Sequence, residues 1–238
     1  MLEPSQSKPK PSMLNSVKKN KQKRIVLLGA GGHSKVVIDA LKSLRIEIFG
    51  IFDSAQTVKN VSGIPMIGDD TQLQKILKTC PLAVVCVGSI GNPYKRIQVT
   101  ERLKKIGFKL PSIVHPSAIV SKTAKIGDGV FIAPGAVIGP NVLVGQHVIV
   151  NTHATIDHDC QLGNFVHIAP GVTLSGGVEV GENSHVGTGA TVIEYKKIGA
   201  NTLIGAGSVV IDDIPAECKA YGHPCRVVEH MSNVFKTS

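Results

Sequence analysis

The sequence predicts a two-part chain, an α/β domain with a short parallel sheet followed by an all-β parallel helix of hexapeptide repeats. Three observations carry that reading. Stepping by six from Val114 to Val210, seventeen consecutive positions are Ile, Leu or Val. The next position is Gly in eight of those steps, from Gly127 to Gly205, and the position four on is mostly small or β-branched. Ahead of the repeats, "RIVLLGAGGHSKVVIDALKSL" reads as an apolar strand, a glycine turn and an amphipathic helix.

The chain opens on a basic segment. Residues 1 to 24 hold Lys8, Lys10, Lys18, Lys19, Lys21, Lys23 and Arg24 against Glu3, a net +6 of the total +9. So Lys-, Ser- and Pro-rich a stretch cannot bury enough apolar surface to offset its ordering entropy, and residues 1–23 are expected to be a disordered tail. The other 214 residues carry only +3, which removes the charge argument for nucleic acid. No apolar run approaches the ~20 residues that span a bilayer, and "IVLLG" is too short and too late for a signal peptide. The expectation is a cytoplasmic protein without integral membrane association. Five cysteines, an odd number with no C-x-x-C pair, speak against a disulfide framework and a cysteine zinc site.

Residues 24–112 form the α/β domain. After the first strand, turn and helix, "IEIFGIFD" is a second strand ending at Asp53 and "LAVVCVGS" a third ending near Gly88. The unit is Rossmann-like, with exposed N–H groups of Gly31, Gly32 and His33 at a helix N-terminus that favours phosphate. Asp53 lies 24 residues after Gly29, as an NAD site would ask, but Ser34 replaces the third glycine of G-x-G-x-x-G and the unit is short for a dinucleotide. A mononucleotide or a nucleotide-sugar diphosphate fits better.

Residues 113–214 carry the repeats. Six residues supply one short strand and a corner, with a buried aliphatic on the strand and glycine where the backbone turns. Three units close an 18-residue triangular coil, so about five and a half coils stack into a prism about 27 Å tall at roughly 4.8 Å per strand. Residues 215–238 are a C-terminal extension. Within the prism, "IDHDCQLGNFVHIAPG" sets His158 between Asp157 and Asp159, with His167 nine positions on. A neutral imidazole is well suited to take a proton near neutral pH, and a carboxylate beside it fixes the tautomer; from sequence alone either aspartate could serve. Gly176 is 18 residues after His158 and is expected directly beneath it, leaving an open slot; Thr188 and Ala206, also 18 apart, form a backbone column.

Four motifs in order, "GAGGHSKVV", "VHPSA", "IDHDCQLGNFVHIAPG" and "GHPCRV", together with the repeats, resemble the NeuD/PglD group of sugar O- and N-acyltransferases over residues 24 to 230. The resemblance implies a left hand for the β-helix, acetyl-CoA as co-substrate, no metal, and a homotrimer. It implies as acceptor a nucleotide-linked amino sugar, most often the 4-amino group of a UDP-4-amino-4,6-dideoxy sugar. By the same resemblance His158 is the base with Asp159 behind it, and His167 lies near the thioester carbonyl. Backbone groups at Gly176, Thr188 and Ala206 then line the pantetheine arm. Gly31, Gly32 and His33 meet the sugar-nucleotide phosphates, and Asp53, Ser54 and Gly88 its uridine end. Three features depart from the group: Ser54 stands where other members hold the base with an acid, Lys196 in "EYKK" breaks the small-residue rule, and the basic tail has no counterpart.

Competing readings are a sialic-acid-type O-acetyltransferase, a GDP-linked amino-sugar N-acetyltransferase, and a nucleotide-sugar-binding scaffold without turnover. A metal-dependent hydratase on the same prism needs three histidines. His153 and His158 have a suitable spacing, but the third position falls at Ser117 and His115 is out of register.

Overall fold

The computed structural model describes residues 24–55 and 58–230; the basic tail expected over residues 1–23 lies outside the described residues. The first part runs β1 (Ile25–Leu28), α1 (Gly32–Ser43), β2 (Ile48–Phe52), β3 (Asn60–Val61), β4 (Ile64–Gly68), α2 (Leu73–Ile76), β5 (Leu82–Val85) and α3 (Tyr94–Ile106). The sheet order is β3-β4-β2-β1-β5, parallel except for the β3–β4 hairpin. Central β1 is buried along its whole length, as a strand covered on both faces must be. Its neighbours β2 and β5 are reached in opposite directions, so the chain reverses at its C-terminal end. That end is a topological switch point, where α/β sheets open a ligand crevice.

Seventeen two-residue strands follow, and each of the periodic aliphatics is the second residue of one. Every strand pairs in parallel with the strand 18 residues away, as Val137 does with Thr155 and Ile149 with His167. The aliphatics fill the prism with the small residues four positions on, such as Ala136, Val142, Ala154 and Cys160. Buried hydroxyls on this inward ladder are satisfied: Ser184 donates to the Gly199 carbonyl at 2.7 Å and Thr202 to that of Pro215 at 2.9 Å. Lys196 breaks the ladder as the sequence indicated, standing half-buried where earlier coils bury Val142, Cys160 and Val178.

The three faces differ in what they present outward. The docked face, Ile113, Phe131, Ile149, His167 and His185, is covered by the α/β domain, and Phe131 and Ile149 share a core with β1, α1 and β2. The threonine face shows Ile119, Val137, Thr155, Thr173, Thr191 and Val209, with no charge. The charged face shows Lys125, Leu143, Gln161, Glu179 and Lys197. After the last coil β23 (Cys218–Gly222) continues the docked face in parallel and β24 (Cys225–His230) turns back antiparallel. That hairpin caps the open end of the stack, a role for which the hexapeptide period gives no signal.

Candidate active site

The glycine turn stands at the switch point. Gly29 has φ 106, and a Cβ there would lie 3.1 Å from the Cys86 backbone, so only glycine lets β1 turn beside β5. Gly31 and Gly32 are exposed, with nothing within 4 Å of where a Cβ would be, and no side chain caps the N-terminus of α1. Its first N–H groups are therefore open to an anion. Asp53 is turned onto the protein itself: one carboxylate oxygen accepts the Ala30 N–H at 2.7 Å and the other that of Ala55 at 2.8 Å. It shapes the turn as well as facing the crevice. Ser54 is exposed beside it, and Gly88 backs onto His33.

His33, in the first turn of α1, turns its ring toward the prism. Its ring packs edge-on against Phe131 of the prism, centroids 5.2 Å apart, with Nε2 buried and without a partner among the described residues. Burial, helped by the Arg96 guanidinium, lowers its pKa to about 4. It is a neutral ring in the domain interface and brings no positive charge to a pyrophosphate.

His167 lies in the same interface. Its Nδ1 donates to the Ser89 carbonyl at 2.6 Å, and burial lowers its pKa to about 3. A carbonyl can only accept, so Nδ1 carries the proton and Nε2 is left with a lone pair. Nε2 therefore cannot donate to a thioester carbonyl. The amide of Asn151 stands 3.5 Å from it, oriented by the Thr152 N–H, which donates to Asn151 Oδ1 at 2.8 Å. Asn151 has the hydrogens that His167 lacks on this side.

His158 sits on the edge where the threonine and charged faces meet, across the prism from the docked face. Asp157 Oδ1 accepts the His158 backbone N–H at 2.7 Å, while Asp159 Oδ2 accepts from the ring Nδ1 at 2.8 Å. The structure thus separates two carboxylates that the sequence left equal. Asp159, with φ 59 at the corner, is steadied by Asn141 one coil back, whose Nδ2 donates to Oδ1 at 3.1 Å. The hydrogen bond to Asp159, then the charges of Asp157 and Asp159, raise the His158 pKa above its ordinary value, and Asp159 is lowered by its bonds to His158 and Asn141. With Nδ1 protonated, Nε2 is the basic atom.

Gly176 does lie beneath His158, but its slot is not open. A Cβ would meet the imidazole at 2.5–2.6 Å, so glycine is required because the ring itself fills the space. Thr188 and Ala206 lie on a different edge, between docked and threonine faces, and stack through the Gly207 N–H, which donates to the Thr188 carbonyl at 2.8 Å. Gly176 and Thr188 are 12 residues apart, two strands rather than one coil, so Gly176 stands on another edge than the Thr188–Ala206 column with which the resemblance grouped it. A depression of about 660 Å³ along the charged face holds none of the expected site residues. The chain brings together Asn141, His158, Asp159 and Gly176 on one edge, and the glycine turn, Ser89, Asn151 and His167 near another.

Residues 24–103 match the PglD N-terminal domain, and residues 112–158 and 159–194 match the bacterial transferase hexapeptide family of six repeats. A mutant of perosamine N-acetyltransferase from Caulobacter crescentus, in complex with CoA and GDP-perosamine, is 36% identical with a TM-score of 0.82, covering 86% of this chain and 96% of that one. The chain belongs to the PglD-type, hexapeptide-repeat family of sugar N-acetyltransferases. Its prism is the left-handed β-helix of that family. A second member of this PglD-type family, the acetyltransferase domain of PglB from Neisseria gonorrhoeae FA1090 in complex with acetyl coenzyme A, is 38% identical with a TM-score of 0.81 over 87% of this chain and all of that domain. The curated UDP-N-acetylbacillosamine N-acetyltransferase of Bacillus subtilis (strain 168) is 38% identical over 117 residues, a match that spans 51% of that protein's length.

Arg96, Ser89, Asn141 and Asn151 of this PglD-type chain were missed from the sequence. Arg96, 3% exposed, donates from Nη1 to the His147 carbonyl at 2.7 Å and from Nη2 to that of Phe165, with its guanidinium over the Phe165 ring. It ties α3 to two successive corners of the prism. His147, stacked on Phe165, and His185, edge-on to His167, are both buried and lowered to about 4. Only Asn141 was within reach of the 18-residue period, which stacks it on Asp159.

Proposed function

We propose that the protein transfers the acetyl group of acetyl-CoA to the amino group of a nucleotide-linked sugar, most often the 4-amino group of a UDP-linked 4-amino-4,6-dideoxy sugar. The observation that carries this is the Asp159–His158 pair on an exposed edge, its Nε2 unprotonated and its basicity raised by the carboxylate. The neutral amine attacks the thioester carbonyl, forming the C–N bond. His158 Nε2 takes the proton lost by the nitrogen, Asp159 stabilises the resulting imidazolium, and the C–S bond breaks to release CoA, whose thiolate takes up a proton. Open N–H groups at Gly31 and Gly32 support a diphosphate at the glycine turn, with Asp53, Ser54 and Gly88 near its nucleoside end.

The working unit we propose is a homotrimer. His158 lies on the edge opposite the face that carries the glycine turn, so one chain cannot bring a sugar held there to its own base. The uncharged threonine face, with Ile119 66% exposed, is suited to face a three-fold axis. The His158 edge of each protomer then stands beside the Thr188–Ala206 edge of the next, and the two line a groove for acetyl-CoA, with main-chain groups at Gly176, Thr188 and Ala206. Ile119→Glu should separate the protomers in sedimentation and abolish turnover; an intact trimer would remove this arrangement. The reaction is placed in the cytoplasm, in keeping with five buried free thiols. No helix among the described residues is long and apolar enough to cross a membrane.

The deciding experiment is CoA release with a panel of UDP- and GDP-linked 4-amino sugars, the free amino sugars and sialic acids. Turnover of a UDP-linked amine far above its free sugar is expected, because remote diphosphate contacts orient the amine. Preference for a GDP-linked amine would change the base, preference for sialic acid the reaction, and no release with any of them would leave a binding scaffold.

A further inference from the structure

Tyr195 belongs to none of the interactions above. It stands on the edge that carries His158, at the corner position held by Asn141, Asp159 and Gly177 in the preceding coils, and all four have φ between 59 and 70. Asn, Asp and Gly tolerate that left-handed conformation; a bulky aromatic is uncommon there and strained. Among the described residues one other aromatic shares such a conformation, Phe165 with φ 57, and its surroundings account for it: the ring is stacked against His147 and lies under Arg96. Tyr195 has no such setting. It is 70% exposed, and its ring lies against Gly177, where a Cβ would meet Cδ1 at 2.5 Å.

The diglycine Gly176–Gly177 is therefore covered from both sides. The His158 ring lies over Gly176 and the Tyr195 ring over Gly177, folded back toward the base across a coil spacing of roughly 4.8 Å. We propose that the exposed ring of Tyr195 is a binding wall for the acyl donor, taking the thioester end of the pantetheine arm against its face beside His158. This rests on the acetyl-transfer reading. The donor is favoured over the sugar by direction: Tyr195 lies on the C-terminal side of His158, the side on which Thr188 and Ala206 continue along the neighbouring edge, whereas the glycine turn belongs to the docked face. A largely apolar thioester arm also matches an aromatic face with no partner among the described residues. This assigns a role to the middle of the "EYKK" segment, the point at which the repeats leave the small-residue pattern.

The test is CoA binding by calorimetry, together with steady-state kinetics, for Tyr195→Gly and Tyr195→Phe. Glycine removes the ring and adopts positive φ without strain, so folding is retained, and a thermal melt no lower than that of the unaltered protein verifies it. The expected result is a roughly tenfold weaker Kd for CoA and a similar rise in the KM for acetyl-CoA in Tyr195→Gly. Tyr195→Phe should behave like the unaltered protein, and the KM for the sugar nucleotide and the sedimentation coefficient should not move. Unchanged CoA affinity in Tyr195→Gly overturns the proposal. So does an effect confined to the sugar KM, or a loss of assembly, which would make the ring a wall for the acceptor or a subunit contact. CoA binding needs no acceptor, so unaltered protein that binds CoA but acetylates no sugar would defeat the acetyl-transfer reading and leave this assignment standing.

Discussion

One exposed histidine and a group of four enclosed ones stand on opposite sides of the prism and are driven in opposite directions. On the threonine–charged edge, His158 is exposed, hydrogen-bonded to Asp159 and raised in pKa. Across the prism, His167 and His185 of the docked face, His147 at its corner and His33 of α1 are enclosed near the Arg96 cation and lowered to about 3 to 4. The same side chain is a base in one place and a neutral packing and hydrogen-bonding group in the other. The difference comes from whether a carboxylate or only carbonyls and apolar groups meet the ring.

The largest expected effect breaks the exposed group. His158→Ala should lower kcat by roughly 10²–10⁴, the range for loss of a general base, with little change in the Kd for CoA. A near-normal kcat in that variant would mean that the amine enters already neutral and needs no base.

Acid should act on the enclosed group next. Histidines with lowered pKa bind fewer protons in the folded state than in the unfolded, so their contribution to stability is complete above pH 6.5 and is lost as the pH falls from there toward 4. Each of these rings costs at most about 1.4 kcal/mol per pH unit in that window. Denaturant midpoints at pH 7.5, 6.0 and 5.0 should fall steeply, and His185→Gln should flatten the slope; a midpoint independent of pH would contradict the buried, neutral assignment.

Arg96→Ala should be milder, costing about 2 kcal/mol, because it leaves the carbonyls of His147 and Phe165 without their donors while also removing a buried cation. Arg96→Lys should recover only part of this, since one ammonium does not reproduce the planar fork. Urea unfolding of the three proteins checks both statements, and full stability of Arg96→Ala would show that the tether is not needed for docking.

How much of this was legible in the sequence follows from which contacts are periodic. The seventeen aliphatics specify the coils because each must point inward, and the 18-residue repeat by itself places Gly176 beneath His158. The same arithmetic separates Gly176 from Thr188, although the resemblance had grouped them along one arm. What the period does not carry is the identity of the face that meets the α/β domain. That face is decided by the Arg96 fork and His167, which reach across 51 to 78 residues to main-chain carbonyls, and by Phe131 and Ile149, which enter the core of the other domain. Main-chain acceptors leave no mark in a sequence, so nothing in it singles out Ser89 or Arg96, and the burial of His33 and His167 beside them is not legible there either. Asp157 and Asp159 were inseparable for a related reason: which carboxylate reaches the ring depends on the left-handed turn at Asp159.

The smallest effect is also the most direct test of the central claim, that Asp159 makes His158 the base. It is the pH dependence of kcat, measured with saturating acetyl-CoA and acceptor, for the unaltered protein and Asp159→Asn. Activity requires the unprotonated ring, so kcat should fall as the pH drops through the His158 pKa, with a midpoint above 6.5 in the unaltered protein. In Asp159→Asn, which loses the carboxylate bond to the ring, the midpoint should move down toward 6.5 and the plateau should drop less than in His158→Ala. An acid limb that is absent, or that stays in place when Asp159 is replaced, would contradict the account.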